Sequence, residues 1–402
     1  MRSASEPAGE VEGDQGEAEP RLNRVRLLLV AIGLIGAVAL DFLSRSPNRL
    51  LSGQPVPWGV IIEGGRIVAF APAVVILVGI FMPGRRGLHL AVALAAAILA
   101  ASLLWLAGDA ALRLFDPAAP AARTSFGGAF WILEAATVLI AADAMQRLGL
   151  SPAARLAAGL ALTLPTLAVL FLGGADSLSI LKEYANRREV FAEAVLRHIQ
   201  IVGATLVPTL LIGIPLGIAA FRSARLRGPL FAVLNVIQTI PSIALFGLLI
   251  APLSGLVAIA PALGALGISG IGATPAIIAL TLYSLLPIAR STAAGLEQVP
   301  VSAVDAATGM GMTRGQIFRS VQAPLALPVL LAGLRVTVVQ AVGMTAVAAL
   351  IGAGGLGAII FQGLAASALD LVLLGVVPLV ALAVAADVLL KLAISMMRRN
   401  AA

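Results

Sequence analysis

Three acids stand in otherwise apolar stretches of the N-terminal half: Asp41, Glu134 and Asp143. A carboxylate at membrane depth marks an ion or proton path by default, unless a partner neutralises it. The C-terminal half adds Asp387 and Lys391 at i and i+4 with the acid first, the order that suits an intrahelical ion pair. Arg335 either faces a bundle interior or sends its guanidinium back to the interface. Beyond these the chemistry is sparse. There is no cysteine, and the only histidines, His89 and His198, lie too far apart in sequence to suggest a metal cluster. No acid–base constellation of an enzyme is visible. Gly352-x-Gly354-x-x-Gly357 has the spacing of a dinucleotide fingerprint, but an apolar helix precedes it and no βαβ unit surrounds it, so an outer-side turn is expected. The two lysines, Lys182 and Lys391, sit in no glycine-rich phosphate loop, so any ATP must be hydrolysed by another chain. No catalytic residue, metal or cofactor is expected.

The elements that hold these residues must be membrane helices. Hydrophobic residues make up 60% of 402 and charged residues 12%, where a soluble chain carries about twice that charge. Mean hydropathy is +1.02. Apolar runs of about 20 residues recur, each long enough to cross a bilayer as a helix that satisfies its own backbone. The fold class is therefore an all-α polytopic membrane protein. Ten spans fit best, near residues 26–43, 66–82, 88–107, 127–145, 155–172, 199–221, 230–251, 275–290, 324–350 and 371–394. The Gly- and Pro-rich stretch 252–273 reads as a broken or re-entrant element or as a loop.

Charge orders these spans. The net charge of +7 is almost wholly arginine and reads as topology, not as a nucleic-acid footprint. Placing both termini inside puts Arg85, Arg86, Arg147, Arg222, Arg225, Arg227, Arg314 and Arg319 in the cytoplasm. Residues 1–24, rich in acids, read as a disordered cytoplasmic tail. Residues 25–175 form an extension of about five spans, and 199–397 a second set of five containing an inner loop, 291–323. Between them, in 176–198, Leu178, Leu181, Tyr184, Phe191, Ala194 and Val195 share a helical face, with Lys182, Glu183, Arg187, Arg188 and Glu193 on others. That pattern fits an interfacial elbow helix or a solvated loop helix.

The inner loop is the most informative stretch. It runs Val304-Asp305-Ala306-Ala307-Thr308-Gly309-Met310-Gly311-Met312-Thr313-Arg314 and on through Ile317 and Phe318 to Pro324. Asp305 before two alanines is expected to start a short helix, because an acid near the N-terminus favours the dipole. Gly309 and Gly311 permit a sharp reversal. Ile317 and Phe318 give the returning segment an apolar face, and Pro324 and Pro328 suit the first turn of a helix or a kink.

This loop resembles the EAA coupling motif of ABC importer permeases: an acid, two alanines, a glycine four residues on, and a closing proline. Asp305 stands where Glu is usual, Val321 where Ile is usual and Ala323 where Leu is usual. The runs Ile214-Pro215-Leu216-Gly217, Ile240-Pro241-Ser242-Ile243-Ala244, Leu282–Ile288 and Ala348–Gly357 are similar to those of osmoprotectant (glycine betaine, choline or carnitine) permeases. The resemblance covers about residues 195–395; the first five spans match only longer members of the group. It implies a five-helix permease core of MetI-like type, with Asp305, Ala306, Ala307, Gly309, Gly311, Ile317, Phe318 and Pro324 coupling to a cytoplasmic ABC ATPase. It also implies an extracytoplasmic substrate-binding protein and a second permease core, identical or paralogous, in a bacterial inner membrane. The C-terminal half has no tryptophan and only Tyr283 as tyrosine, so an aromatic cage for a quaternary ammonium is hard to build there. Gln238, Tyr283, Met344 and Thr345 are the expected lining of the translocation path. The alternative is a proton-coupled secondary transporter using Asp41, Glu134 and Asp143, although matched broken spans in the two halves are not visible.

Overall fold

The computed structural model describes residues 22–48, 51–265 and 267–400; the acidic stretch before residue 22 lies outside them. The N-terminal half contains α1 (Arg24–Ala39), the strands β1 (Leu43–Ser46) and β2 (Gln54–Pro55), and α2 (Trp58–Ile61). It continues through α3 (Ala71–Phe81), α4 (Arg86–Arg113), β3 (Arg123–Phe126), α5 (Gly128–Arg147) and α6 (Pro152–Phe171). Helix α4 is the hub. Its alanines at 93, 96, 100, 107 and 110 are buried, and small side chains let neighbouring helices approach closely in lipid. At Gly108 a Cβ would lie 1.9 Å from the Gly174 carbonyl, so only glycine fits. Beyond the helix ends the strands form an antiparallel sheet in the order β2-β1-β3, with Ser44 opposite Ser125 and Pro55.

The C-terminal half comprises α7 (Ser179–Asn186), α8 (Arg188–Arg222), α9 (Ala224–Thr239), α10 (Ser242–Ile259), α11 (Pro261–Ala265) and α12 (Ala273–Glu297). It then runs through α13 (Val301–Gly309), α14 (Arg314–Ile317), α15 (Ala323–Val347), α16 (Leu356–Ala365) and α17 (Leu369–Asn400). Here α12 is the hub. Gly213 and Gly217 of α8 abut Ile288 and Thr292, and Gly333 of α15 abuts Ser291. The halves meet on the side remote from α13, where Ser125 Oγ of β3 donates to Asp370 Oδ2 of α17 at 2.6 Å.

Among the described residues nine helical segments are long and apolar enough to span. Three differences from the sequence expectation have physical causes. The first expected span is only the 16-residue α1, because the chain leaves it at Leu40 to enter β1. The seventh, 230–251, is two helices: Ile240 is extended, and Pro241 precedes α10, as expected of a residue before proline. The stretch 252–273 begins as the continuation of α10 to Ile259. It then doubles back, and Gly270 sits so close to Ser254 that a Cβ would lie 1.9 Å from its Oγ. The elbow region is split as well. It forms α7, a break at Arg187, and the first three turns of α8, with Glu183 buried and paired to Arg187 at 3.4 Å.

Candidate functional site

The segment joining α12 to α15 is an angled pair of capped helices. Pro300 supplies the N-cap of α13, so Asp305 is its fifth residue and not part of the first turn as the sequence reading expected. Gly311 ends the helix at φ 80°, a left-handed conformation that glycine adopts without a Cβ penalty. The Gly311 N–H donates to Thr308 O at 2.9 Å and the Met312 N–H to Ala307 O at 3.1 Å, the two bonds of a Schellman stop. Thr313 then opens α14 with a capping box. Its Oγ1 accepts from the Gln316 N–H (3.4 Å) while its own N–H donates to Gln316 Oε1 (2.8 Å). Only Met312 separates the left-handed residue from this second cap, so the angle between α13 and α14 is fixed by hydrogen bonds at both ends.

Packing sorts the expected coupling residues into two sets. Ala307 (1% exposed) and Ile317 face inward, and Phe318 joins Val304 against Leu296, Val299 and Ala326. Asp305, Ala306 and Gly311 are exposed, as is Gly309, where a Cβ would meet nothing within 4 Å. Pro324 is also exposed, near the start of α15. It does not break the helix: residues Phe318–Gln322 form a π-helical turn running straight into α15, and the Ala323 N–H reaches Phe318 O. Sequence reasoning missed three participants. Val301 and Met310, at the start and just past the end of α13, are 73% and 74% exposed apolar side chains. Arg222, at the end of α8, lies 5.2 Å over the Phe318 ring. In the sequence the arginines of the 222–227 run mark topology, and nothing local announces the contact with Phe318.

The expected path residues lie around the α9–α10 break. Gln238 Nε2 donates to Tyr283 O at 2.8 Å, and the Tyr283 hydroxyl donates to Ile240 O. Met344 packs against the cluster that holds Tyr283, and Gln340 Nε2 lies 3.5 Å from its sulfur. Thr345 is buried and its hydroxyl returns to Ala341 O at 2.7 Å. Gln238 and Met344 are therefore half-buried, while Tyr283 and Thr345 are buried behind them. Outward of this cluster, Gly352, Gly354 and Gly355 all have positive φ. Arg197 Nε donates to Ala353 O (3.3 Å), tying that turn to α8, and His198 Nε2 lies 3.0 Å from Val342 O, tying α15 to α8.

The intramembrane charges are mostly paired. Asp143 accepts from Arg26 at 2.9 Å and Arg147 at 3.0 Å, and Arg26 also reaches Gly79 O and His89 Nδ1. Arg335 pairs with Asp387, which also binds Lys391 at 2.6 Å. Among the described residues no group of three metal-ligating side chains occurs.

Known family descriptions match both halves of the chain. Residues 187–399 match the family described as "Binding-protein-dependent transport system inner membrane component". Residues 21–181 match "ABC transporter permease YehY, N-terminal domain". The osmoprotectant import permease protein OsmW of Salmonella typhimurium is 39% identical over 50% of this chain and 87% of its own length. The glycine betaine/carnitine/choline transport system permease protein OpuCD of Bacillus subtilis is 41% identical over 45% of this chain and 72% of its own. Among solved structures, a chain of the inward-facing MetNI methionine ABC transporter aligns over 53% of this chain and 98% of its own, with 25% identity and a TM-score of 0.47. The chain belongs to the inner membrane components of binding-protein-dependent transport systems, as a long-form permease of the osmoprotectant ABC importer family.

Proposed function

We propose that this chain forms the translocation path for glycine betaine or a related quaternary-ammonium osmoprotectant in a bacterial inner membrane, driven by a separate cytoplasmic ATPase. The observation that carries the reading is the doubly capped α13–α14 segment, which presents Asp305, Ala306, Val301 and Met310 outward on an apolar anchor. A helix so fixed moves as a body, so force on its outer face passes through Phe318 and Arg222 into α15 and α8. Two cores, identical or paralogous, enclose one path, and closure of the ATPases drives their coupling segments together. The path opens to the outside, a binding protein delivers the ligand, and Gln238 and Met344 flank its passage with Tyr283 and Thr345 behind them. Selection rests with the binding protein, since the core offers no aromatic cage. The names of the relatives support the substrate class.

The proton-coupled alternative has no comparable support. Asp143 is neutralised by two arginines and Asp41 is exposed past the end of α1. Glu134 Oε2 is buried, and among the described residues no hydrogen bond joins it to Asp41 or Asp143.

The test is co-purification with the ATPase, wild type against Asp305→Lys combined with Gly311→Leu. The double variant is expected to insert normally and lose the ATPase. Retention of an undiminished, uptake-competent complex would remove α13 as the docking element.

A further inference from the structure

On the side of the molecule remote from the coupling segment, a cleft of about 310 Å³ opens where α1, β2 and α2 converge. It is lined by Val38, Leu40, Asp41, Pro55, Pro57 and Trp58, among others. Three features fix what it can hold. First, several of its donors are already used. Prolines carry no N–H, the Val56 N–H is taken by Leu43 O, the Leu40 N–H by Gly36 O and the Trp58 indole N–H by Ala37 O. Second, one wall of the cleft is electronegative. Val38, Ala39 and Leu40 form the carbonyl end of α1, where the helix dipole favours a cation. The Asp41 carboxylate beside it is exposed, and among the described residues no cation pairs with it. Third, the site is rigid. The Asp41 carbonyl accepts the Ala129 N–H at 3.0 Å, and Gly127 approaches so closely that a Cβ would lie 2.0 Å from that carbonyl. Trp58 is held by its indole bond and by Phe42, 5.0 Å away, and Phe70, 6.2 Å away.

We propose that this cleft binds a trimethylammonium group, with Asp41 and the end of α1 supplying charge and Trp58 and the aliphatic walls supplying apolar contact. A cation without N–H donors suits a wall of alkyl groups and one aromatic face better than an ammonium that must be hydrogen-bonded. The chemistry is shared by free choline or glycine betaine and by a choline phospholipid headgroup. The site rests on the proposed substrate class for its relevance, but it lies in the N-terminal half, apart from the path.

The experiment is equilibrium binding of radiolabelled choline to the full chain in nanodiscs of phosphatidylglycerol. Saturable binding is expected, competed by glycine betaine and not by the neutral carbon isostere of choline. Asp41→Asn, at an exposed position, should weaken it about tenfold or more, and Trp58→Phe less. Competition by phosphatidylcholine nanodiscs assigns the site to a headgroup; its absence assigns it to the free solute. The same binding is measured on Asp305→Lys/Gly311→Leu, which should keep it while losing uptake. Absence of saturable binding, or equal affinity in Asp41→Asn, overturns the site whether or not uptake depends on the coupling segment.

Discussion

The two halves of this chain hold their helices together by different means. In the N-terminal half the fasteners are directional. Arg26 is 1% exposed and spans α1, α3, α4 and α5 through Gly79, His89 and Asp143; Asp109 joins Arg66 and Arg113; and Phe42, Trp58, Phe70, Phe126, Phe130 and Trp131 form one chain of ring contacts. In the C-terminal half close approach is more prominent, beside the Arg335–Asp387 pair between α15 and α17. Gly213, Gly217, Gly295 and Gly333 let helices touch backbone to side chain. The hydroxyls of Thr205, Thr209, Thr292, Thr337 and Thr345 turn back to the carbonyl four residues earlier, leaving smooth surfaces. A buried ion pair has one good geometry, whereas dispersion between small residues tolerates sliding. On the proposed function, the first half would serve as a scaffold and the second as the core that moves.

Substitutions that act on one half and spare the other sharpen this contrast. The largest effect is expected from Asp305→Lys with Gly311→Leu. Leucine at φ 80° costs roughly 1–2 kcal/mol, and ATP-driven uptake should fall to background while choline binding at Asp41 persists; loss of both would mean the halves are not separable. Next is Asp143→Ala, which strands the buried Arg26 guanidinium. It should destabilise the N-terminal half by about 3–5 kcal/mol, seen as rapid proteolysis between α1 and α5 with the ATPase still bound. Unchanged protease resistance would refute the lock. Ser125→Ala removes the 2.6 Å bond to Asp370, a loss of about 1–3 kcal/mol. Hydrogen exchange should rise in β3 and the start of α17 together, and a rise confined to β3 would deny that this bond joins the halves. The smallest is Arg222→Ala, about 0.5–1 kcal/mol. It should lower uptake a few-fold with ATPase binding intact, and unaltered uptake would take α8 out of the coupling route.

Much of this was legible in the sequence because bilayer length and hydropathy leave a helix little choice, and because the acid, paired alanines and glycine of the coupling segment are local. What escaped was long-range or weakly patterned. Arg26 and Asp143 stand 117 residues apart, and nothing in either neighbourhood announces the other. The strands are two to four residues long with mixed polarity, too short for alternation to register. Propensity puts Asp305 at a helix start, yet Pro300 sets the N-cap five residues earlier. Hydropathy runs unbroken through Ile240-Pro241, yet proline disfavours helix in the residue before it and the span divides there.

The π-helical turn at Phe318–Gln322 behaves like a dislocation in an otherwise regular lattice. It holds one surplus residue between the coupling segment and α15, and a dislocation can migrate without the lattice melting. Each step along the helix would turn the intervening residue by about 100° and advance it about 1.5 Å. A push on α13 would then reach α15 as a change of register at this turn, without melting the helix between them. Deleting Val321 pins the lattice: the ATPase should still bind, but uptake should stall, and normal uptake in the deletion would show that the surplus residue is idle.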